Sequence, residues 1–154
     1  MAREITIKNV KDTLAAGSNI IESAQNEVVW ILPPNYLAYS FQFSIPEKSK
    51  MLIEKGGRVR GITKISGAYL DPVRKLLDSG EELRHIDQFP GVFMLVADNK
   101  ESISSMSINA ENLTLDDPTV ALWTDNKAQA EFLTATFETT WNEAVDAKKR
   151  LREL

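Results

Sequence analysis

Arg84-His85-Ile86-Asp87 is the stretch of this sequence best equipped for chemistry. His85 is the only histidine among 154 residues, with an arginine before it and a carboxylate two places on. Arg84 and His85 together suit an anionic ligand, and Asp87 suits fixing the imidazole tautomer. The plainer reading is a polar cluster at a strand end, since charged residues this close pair locally. A histidine nucleophile attacking phosphorus needs a second histidine and a lysine two places later to hold the phosphate oxygens. Asp87 stands at that lysine position and repels phosphate. A dimer would supply a second His85 but not the lysine, so no enzyme of this type is expected.

Other reactive constellations are weaker. His85, Asp87 and Asp98 resemble metal ligands only loosely, because His-x-Asp is a weak pattern and no second nitrogen ligand exists. With no cysteine in the chain, thiolate ligands, thiol nucleophiles and disulfides are excluded. Asp116-Asp117-Pro118 lacks calcium-loop spacing, and Gly56-Gly57 lacks the Lys-Ser/Thr of a phosphate loop. Ser102, Ser104, Ser105 and Ser107 have no Gly-x-Ser-x-Gly elbow around them and read as polar positions of a hairpin strand. Neither a metal nor another cofactor is implied.

The elements that must position these residues follow from periodicity. Val10, Leu14, Gly17, Ile21 and Ala24 mark one helical face, with Gly17 there to admit a neighbouring backbone. Glu27 to Leu32 is a buried strand halted by Pro33-Pro34. Beyond it come Tyr36, Tyr39, Phe41 and Phe43, at the carboxyl end of a strand, where open α/β sheets bind ligands. An aromatic-walled pocket of Tyr36 and Tyr39 with Thr63, Arg84 or His85 nearby is the expected site; the alternative is a second hydrophobic layer. A helix follows through Glu47 to Lys55, then a strand from Arg58 to Ile65. Asp71-Pro72 has the order of an N-cap acid and a first-turn proline. Leu83 to Ile86 is a short strand. Val92 to Ala97 and Glu101 to Ile108 flank an Asp98-Asn99 turn, with a bulge expected near Ser104-Ser105. Thr119 to Trp123 is the last strand, and a single long helix from Asp125 to the end carries Ala130, Leu133, Phe137, Trp141 and Ala144 on one stripe. This is an α/β fold with a mixed central sheet flanked by helices, in one domain spanning 1–154.

The bulk numbers agree with one soluble domain: 43% hydrophobic and 26% charged residues, enough chain to bury roughly 70% of its unfolded surface. A net charge of −4 argues against nucleic acid as a partner. No apolar run reaches the ~20 residues of a membrane span, and MAREITIKNV has no signal-peptide core, so a cytoplasmic location is expected. Asn112-Leu113-Thr114 matches a glycosylation sequon by chance.

In phospholipase D-like phosphodiesterases, a strand running into an Asp-Asn turn carries the signature His-x-Lys-x-x-x-x-Asp. Ending that signature on Asp98 puts Gly91 and Phe93 where its histidine and lysine belong. The runs RVRGITKI, DPVRKLLDSGEELRHID and FPGVFMLVADNKESISS resemble the sensory domain of archaeal, notably thaumarchaeal, sensor histidine kinases, and related modules of archaeal transcriptional regulators. Those domains resemble a phospholipase D-like half without its catalytic signature. WNEAVDAKKRLREL resembles the point where such sensors pass into a signalling helix. The resemblance implies a non-catalytic input domain that binds a small-molecule ligand or a protein partner. It also implies a homodimer whose terminal helices relay to a downstream kinase or regulator. Arg84, His85, Asp87 and Asp98 are its signature positions. A dimerisation module and a degenerate phosphodiesterase-like enzyme are the alternatives.

Overall fold

The computed structural model describes residues 1–106 and 113–154. Expectations that fall on Ser107, Ile108 and Asn112 lie outside the described residues. In chain order the elements are β1 (Glu4–Asn9), α1 (Val10–Ser23), β2 (Glu27–Ile31), α2 (Pro34–Ser40), α3 (Ile45–Glu54), β3 (Arg58–Thr63), α4 (Leu70–Asp78) and β4 (Glu82–His85). Then follow β5 (Phe93–Ala97), β6 (Glu101–Ser105), β7 (Pro118–Thr124), α5 (Lys127–Glu143), β8 (Val145–Asp146) and α6 (Ala147–Arg152).

One eight-stranded sheet runs in the order β1-β7-β6-β5-β2-β3-β4-β8. Its centre, β2-β3-β4, is parallel because helices carry the chain back each time; the remaining pairs are antiparallel. Side-chain alternation sorts the core into two layers. Val28 and Trp30 of β2, with Leu95 of β5, face α1, α3 and α4. Val29 and Ile31, with Met94 and Val96, face Ala130, Leu133, Phe137 and Trp141 of α5. A sheet covered on both faces explains the continuous apolar runs of β2 and β5.

The hairpin expected at Asp98-Asn99 is present: both residues have positive φ, 53° and 56°, and the Lys100 N–H closes onto the Ala97 carbonyl. β5 and β6 pair in unbroken register from Phe93↔Ser105 to Ala97↔Glu101, so the expected bulge is absent. The alternation slips because Ser102 and Ser105 are themselves buried. Asp71 does not cap α4. Its N-cap is Tyr69, and Pro72 sits within the first turn. Nor is a backbone packed on Gly17: the nearest atom to a Cβ built there is Leu95 Cδ1 at 3.8 Å.

The largest departure is at the carboxyl end. The single long helix breaks at Ala144, which is extended at φ −81°, ψ 155°. Val145 and Asp146 instead pair antiparallel with His85 and Arg84, covering part of the β4 edge. Asp146 then caps α6 by accepting the N–H groups of Lys148 and Lys149.

Candidate functional site

The expected site residues separate into four places, and Arg84 parts from His85 because neighbouring strand residues face opposite sides of a sheet. His85, Thr63 and Asp87 stay together at the carboxyl ends of β3 and β4, where Thr63 pairs with His85 and its carbonyl accepts the Ile86 N–H. The His85 ring is buried, 4% exposed, and engaged at both nitrogens. Nδ1 accepts the Ile65 backbone N–H at 2.9 Å, so the ring proton is on Nε2, which meets Asp87 Oδ1 at 2.9 Å. That hydrogen bond holds the Asp87 carboxyl below its ordinary range, with Arg150 and Lys64 adding to the effect. Ile65 also presents its carbonyl to Arg150 Nε of α6 at 3.2 Å. The Thr63 hydroxyl is fully buried with no hydrogen-bond partner among the described residues.

Arg84 lies on the opposite face. Its guanidinium stacks 4.1 Å from the centroid of the Trp141 ring and donates to the Trp141 carbonyl at 2.7 Å. Arg84 therefore does not share a ligand with His85; it holds the end of α5. A second arginine on this face, Arg60, is buried between Glu27 and Glu138 and lies over the Phe137 and Trp141 rings. Sequence reasoning missed Arg60, although its alternation with Ile62, which faces α5, was a readable signal.

Asp98 is at the other end of the sheet. Its two oxygens accept the backbone N–H groups of Gln25, Asn26 and Glu27 at 2.8 to 2.9 Å, fastening the hairpin to the start of β2. Burial alone would raise this carboxyl, but the three donors outweigh it and hold it low.

Tyr36 and Tyr39 do not wall a pocket with Thr63, Arg84 or His85; they sit in a separate cluster with Val10, Leu14 and Leu113. Pro34 opens α2, which turns Tyr36 inward onto Val10, Leu14 and Leu113. Burial pushes the Tyr36 hydroxyl up to about 12. Tyr39 packs at the rim of this cluster and donates its hydroxyl to the Leu113 carbonyl at 2.9 Å. The expected aromatic wall is a second hydrophobic layer.

The start of β5 is where the phospholipase D-like signature would place its lysine. Phe93 packs its ring 5.1 Å from Phe89 and lines a cavity of about 40 Å³ with Leu14, Leu32, Tyr36 and Leu95. Thr13, Ser104 and Ser105 also line it, and neither a histidine nor a lysine does. Among the described residues no three His, Asp or Glu side chains converge where a metal ion could sit, and no helix is long and apolar enough to cross a membrane.

Solved structures with this arrangement include TrmBL2, an archaeal chromatin protein with a novel mode of DNA binding. It is 17% identical at a TM-score of 0.73, over 94% of this chain and 54% of that one. Nuc from Salmonella typhimurium, a phospholipase D family member, matches at a TM-score of 0.71 and 14% identity, over 95% of this chain and 98% of that one. NucT from Helicobacter pylori matches at 0.71 and 14%, over 95% and 99%. No family model matches the chain, and no curated protein is similar to it.

At such identities the likeness is one of fold, and the fold is phospholipase D-like: a mixed eight-stranded sheet flanked by helices with a helix at the carboxyl end. This chain spans about half the length of TrmBL2 and nearly all of the two bacterial proteins. These neighbours carry the phospholipase D-like part of the resemblance and not its sensor-kinase part. They also correct one expectation. Nucleic acid does not drop out as a partner on net charge, because a fold shared with a DNA-binding chromatin protein is compatible with it.

Proposed function

We propose that this chain is a non-catalytic input module on a phospholipase D-like fold, binding an intracellular ligand or partner and passing its state to the carboxyl-terminal segment. The observation that carries the reading is the corner at Gly91 and Phe93, where a His-x-Lys pair is replaced by a bare backbone and an aromatic ring packed on Phe89. The one histidine is buried with both nitrogens engaged, which leaves it no lone pair for a substrate.

A relay fits the carboxyl ends of β3 and β4. Ile65 accepts from Arg150 of α6 and donates to His85, so a ligand that disturbs His85 and Asp87 disturbs the seat of α6. The output is then a change in docking of β8 and α6 on β4, as an input domain of a sensor kinase or regulator requires. A rigid continuous helix is not needed for it.

The test is a thermal-shift screen with nucleotides, sugars, phosphorylated metabolites and divalent metals. It is run beside a phosphodiesterase assay on bis(p-nitrophenyl) phosphate. Ligand at 100 times Kd adds about 2.7 kcal/mol of stability. A saturable hit without hydrolysis supports the module; hydrolysis lost in His85→Ala overturns it.

Nucleic-acid binding is the second reading. It is favoured by α6, where Lys148, Lys149, Arg150 and Arg152 fall within six residues of an otherwise acidic chain, and by the likeness to TrmBL2. It predicts duplex-DNA affinity that falls steeply with salt and is lost in Lys148→Glu/Lys149→Glu.

A further inference from the structure

Glu81 is a buried carboxyl, 4% exposed. It follows Gly80 (φ 101°) in the tight turn from α4 to β4, and its own N–H is tied to the Leu76 carbonyl. The carboxyl points into the layer under α3 and α4, where Oε1 accepts the indole N–H of Trp30 at 2.9 Å across 51 positions of sequence. The Ser49 hydroxyl of α3 lies beside it. Among the described residues no arginine, lysine or histidine is paired with it.

Two spaces adjoin this acid. Inward is a cavity of about 30 Å³ lined by Trp30, Leu37, Leu76 and Leu95. Outward is a surface groove of about 390 Å³ between α4, β4 and the start of α6, bordered by Leu77, Leu83 and Lys148. The groove is a short route for a proton. Its other charged groups are Glu82 and Arg84 on β4 and Asp146 at the cap of α6. Glu82 is taken by Arg58, and Arg84 by the Trp141 carbonyl.

We infer that Glu81 is a proton-operated fastener: protonated, it ties the α4–β4 corner to β2 and α3; ionised, it loosens that corner and the β4 edge on which β8 and α6 rest. An unpaired carboxylate in an apolar layer is costly, whereas the neutral acid sheds that cost and keeps the indole bond. Burial pushes the Glu81 carboxyl up to about 7, the Trp30 N–H and Ser49 hydroxyl limiting the rise. A raised carboxyl means that the folded state holds a proton the unfolded state has released. Stability from this group is complete below the ordinary value of 4.5, falls as pH rises, and is exhausted above about 7.

The experiment follows thermal unfolding from pH 4.5 to 8.5 in the whole chain, wild type against Glu81→Gln, which keeps the shape and an acceptor for Trp30. The expected result is a melting temperature that falls between pH 4.5 and 7 in wild type relative to Glu81→Gln, with the curves diverging as pH rises. Trp30→Phe removes the donor that favours the carboxylate, so its fall moves to higher pH. Amide exchange, corrected for intrinsic rates, speeds up at 82–85 and 145–148 between pH 5.5 and 8 in wild type, a readout that needs no variant to fold. Parallel melting curves for wild type and Glu81→Gln, or protection at 82–85 that does not change with pH, overturn the inference.

Discussion

His85 Nδ1 accepts the backbone N–H of Ile65, joining β4 to the segment that leaves β3 twenty positions earlier. Because Ile65 also holds Arg150, one imidazole supports both a strand end and the terminal helix. Replacing His85 with alanine leaves a buried N–H without a partner, which costs about 1–3 kcal/mol. Asparagine at this position offers an oxygen near Nδ1 and recovers part of that loss. Urea unfolding of His85→Ala and His85→Asn measures both. Wild-type stability in the alanine variant would mean that Ile65 finds water instead.

Trp141 closes the other face. Its ring is buried, stacks on Phe137 at 5.6 Å and carries Arg84 above it. Trp141→Ala opens a cavity and strands Arg84, for a loss of about 3–5 kcal/mol. Trp141→Phe keeps a ring for Arg84 and loses less than half as much, a ranking that denaturant midpoints settle.

The central strands are legible in the sequence because apolar runs such as VVWI and FMLVA have one physical solution, burial on both faces of a sheet. The Asp98-Asn99 turn is legible for the same kind of reason, since few residue pairs accept positive φ twice. β1 is not: Ile5 is 56% exposed, so EITIKN has only a weak inward face to betray it. The break at Ala144 is hidden because AVDA contains no proline or glycine. What ends α5 is a tertiary event, the pairing of Val145-Asp146 with β4, and the one local sign is Asp146 three residues before a basic helical turn. At the site, the pairing of His85 with Asp87 could be read from spacing. Arg84 could have been excluded from it by strand alternation alone. Tyr36 could not: only the packing of α2 on α1 shows that its ring fills the layer it was expected to line.

Two glycines make opposite predictions. At Gly61 in β3 a Cβ would come within 2.0 Å of the Trp30 ring, the ring whose N–H reaches Glu81. Gly61→Ala must displace that indole in a packed core, costing about 3 kcal/mol or preventing folding. At Gly17 a Cβ meets only Leu95 Cδ1 at 3.8 Å, an ordinary contact. Gly17→Ala in mid-helix therefore stabilises by about 0.5–1 kcal/mol. Melting temperatures of the two variants should move in opposite directions from wild type.

Asp98 tests whether the signature aspartate has a purely structural duty here. Three backbone N–H groups converge on its carboxylate, and its own backbone is left-handed at φ 53°. Asp98→Asn tolerates that conformation but accepts through one oxygen and without charge, for a loss of about 2 kcal/mol. Asp98→Ala adds backbone strain and loses every acceptor, so it is the worse of the two. The carboxyl is held below its ordinary value of 3.8 by those donors. Its contribution is therefore present above that value and drains away as pH falls through the native carboxyl's lowered range. The stability gap between wild type and Asp98→Asn, measured by urea unfolding, should be full at pH 6 and narrow steadily below pH 4. A gap that stays constant down to pH 2 would show that the charge of Asp98 contributes nothing, and that shape alone fastens the hairpin to β2.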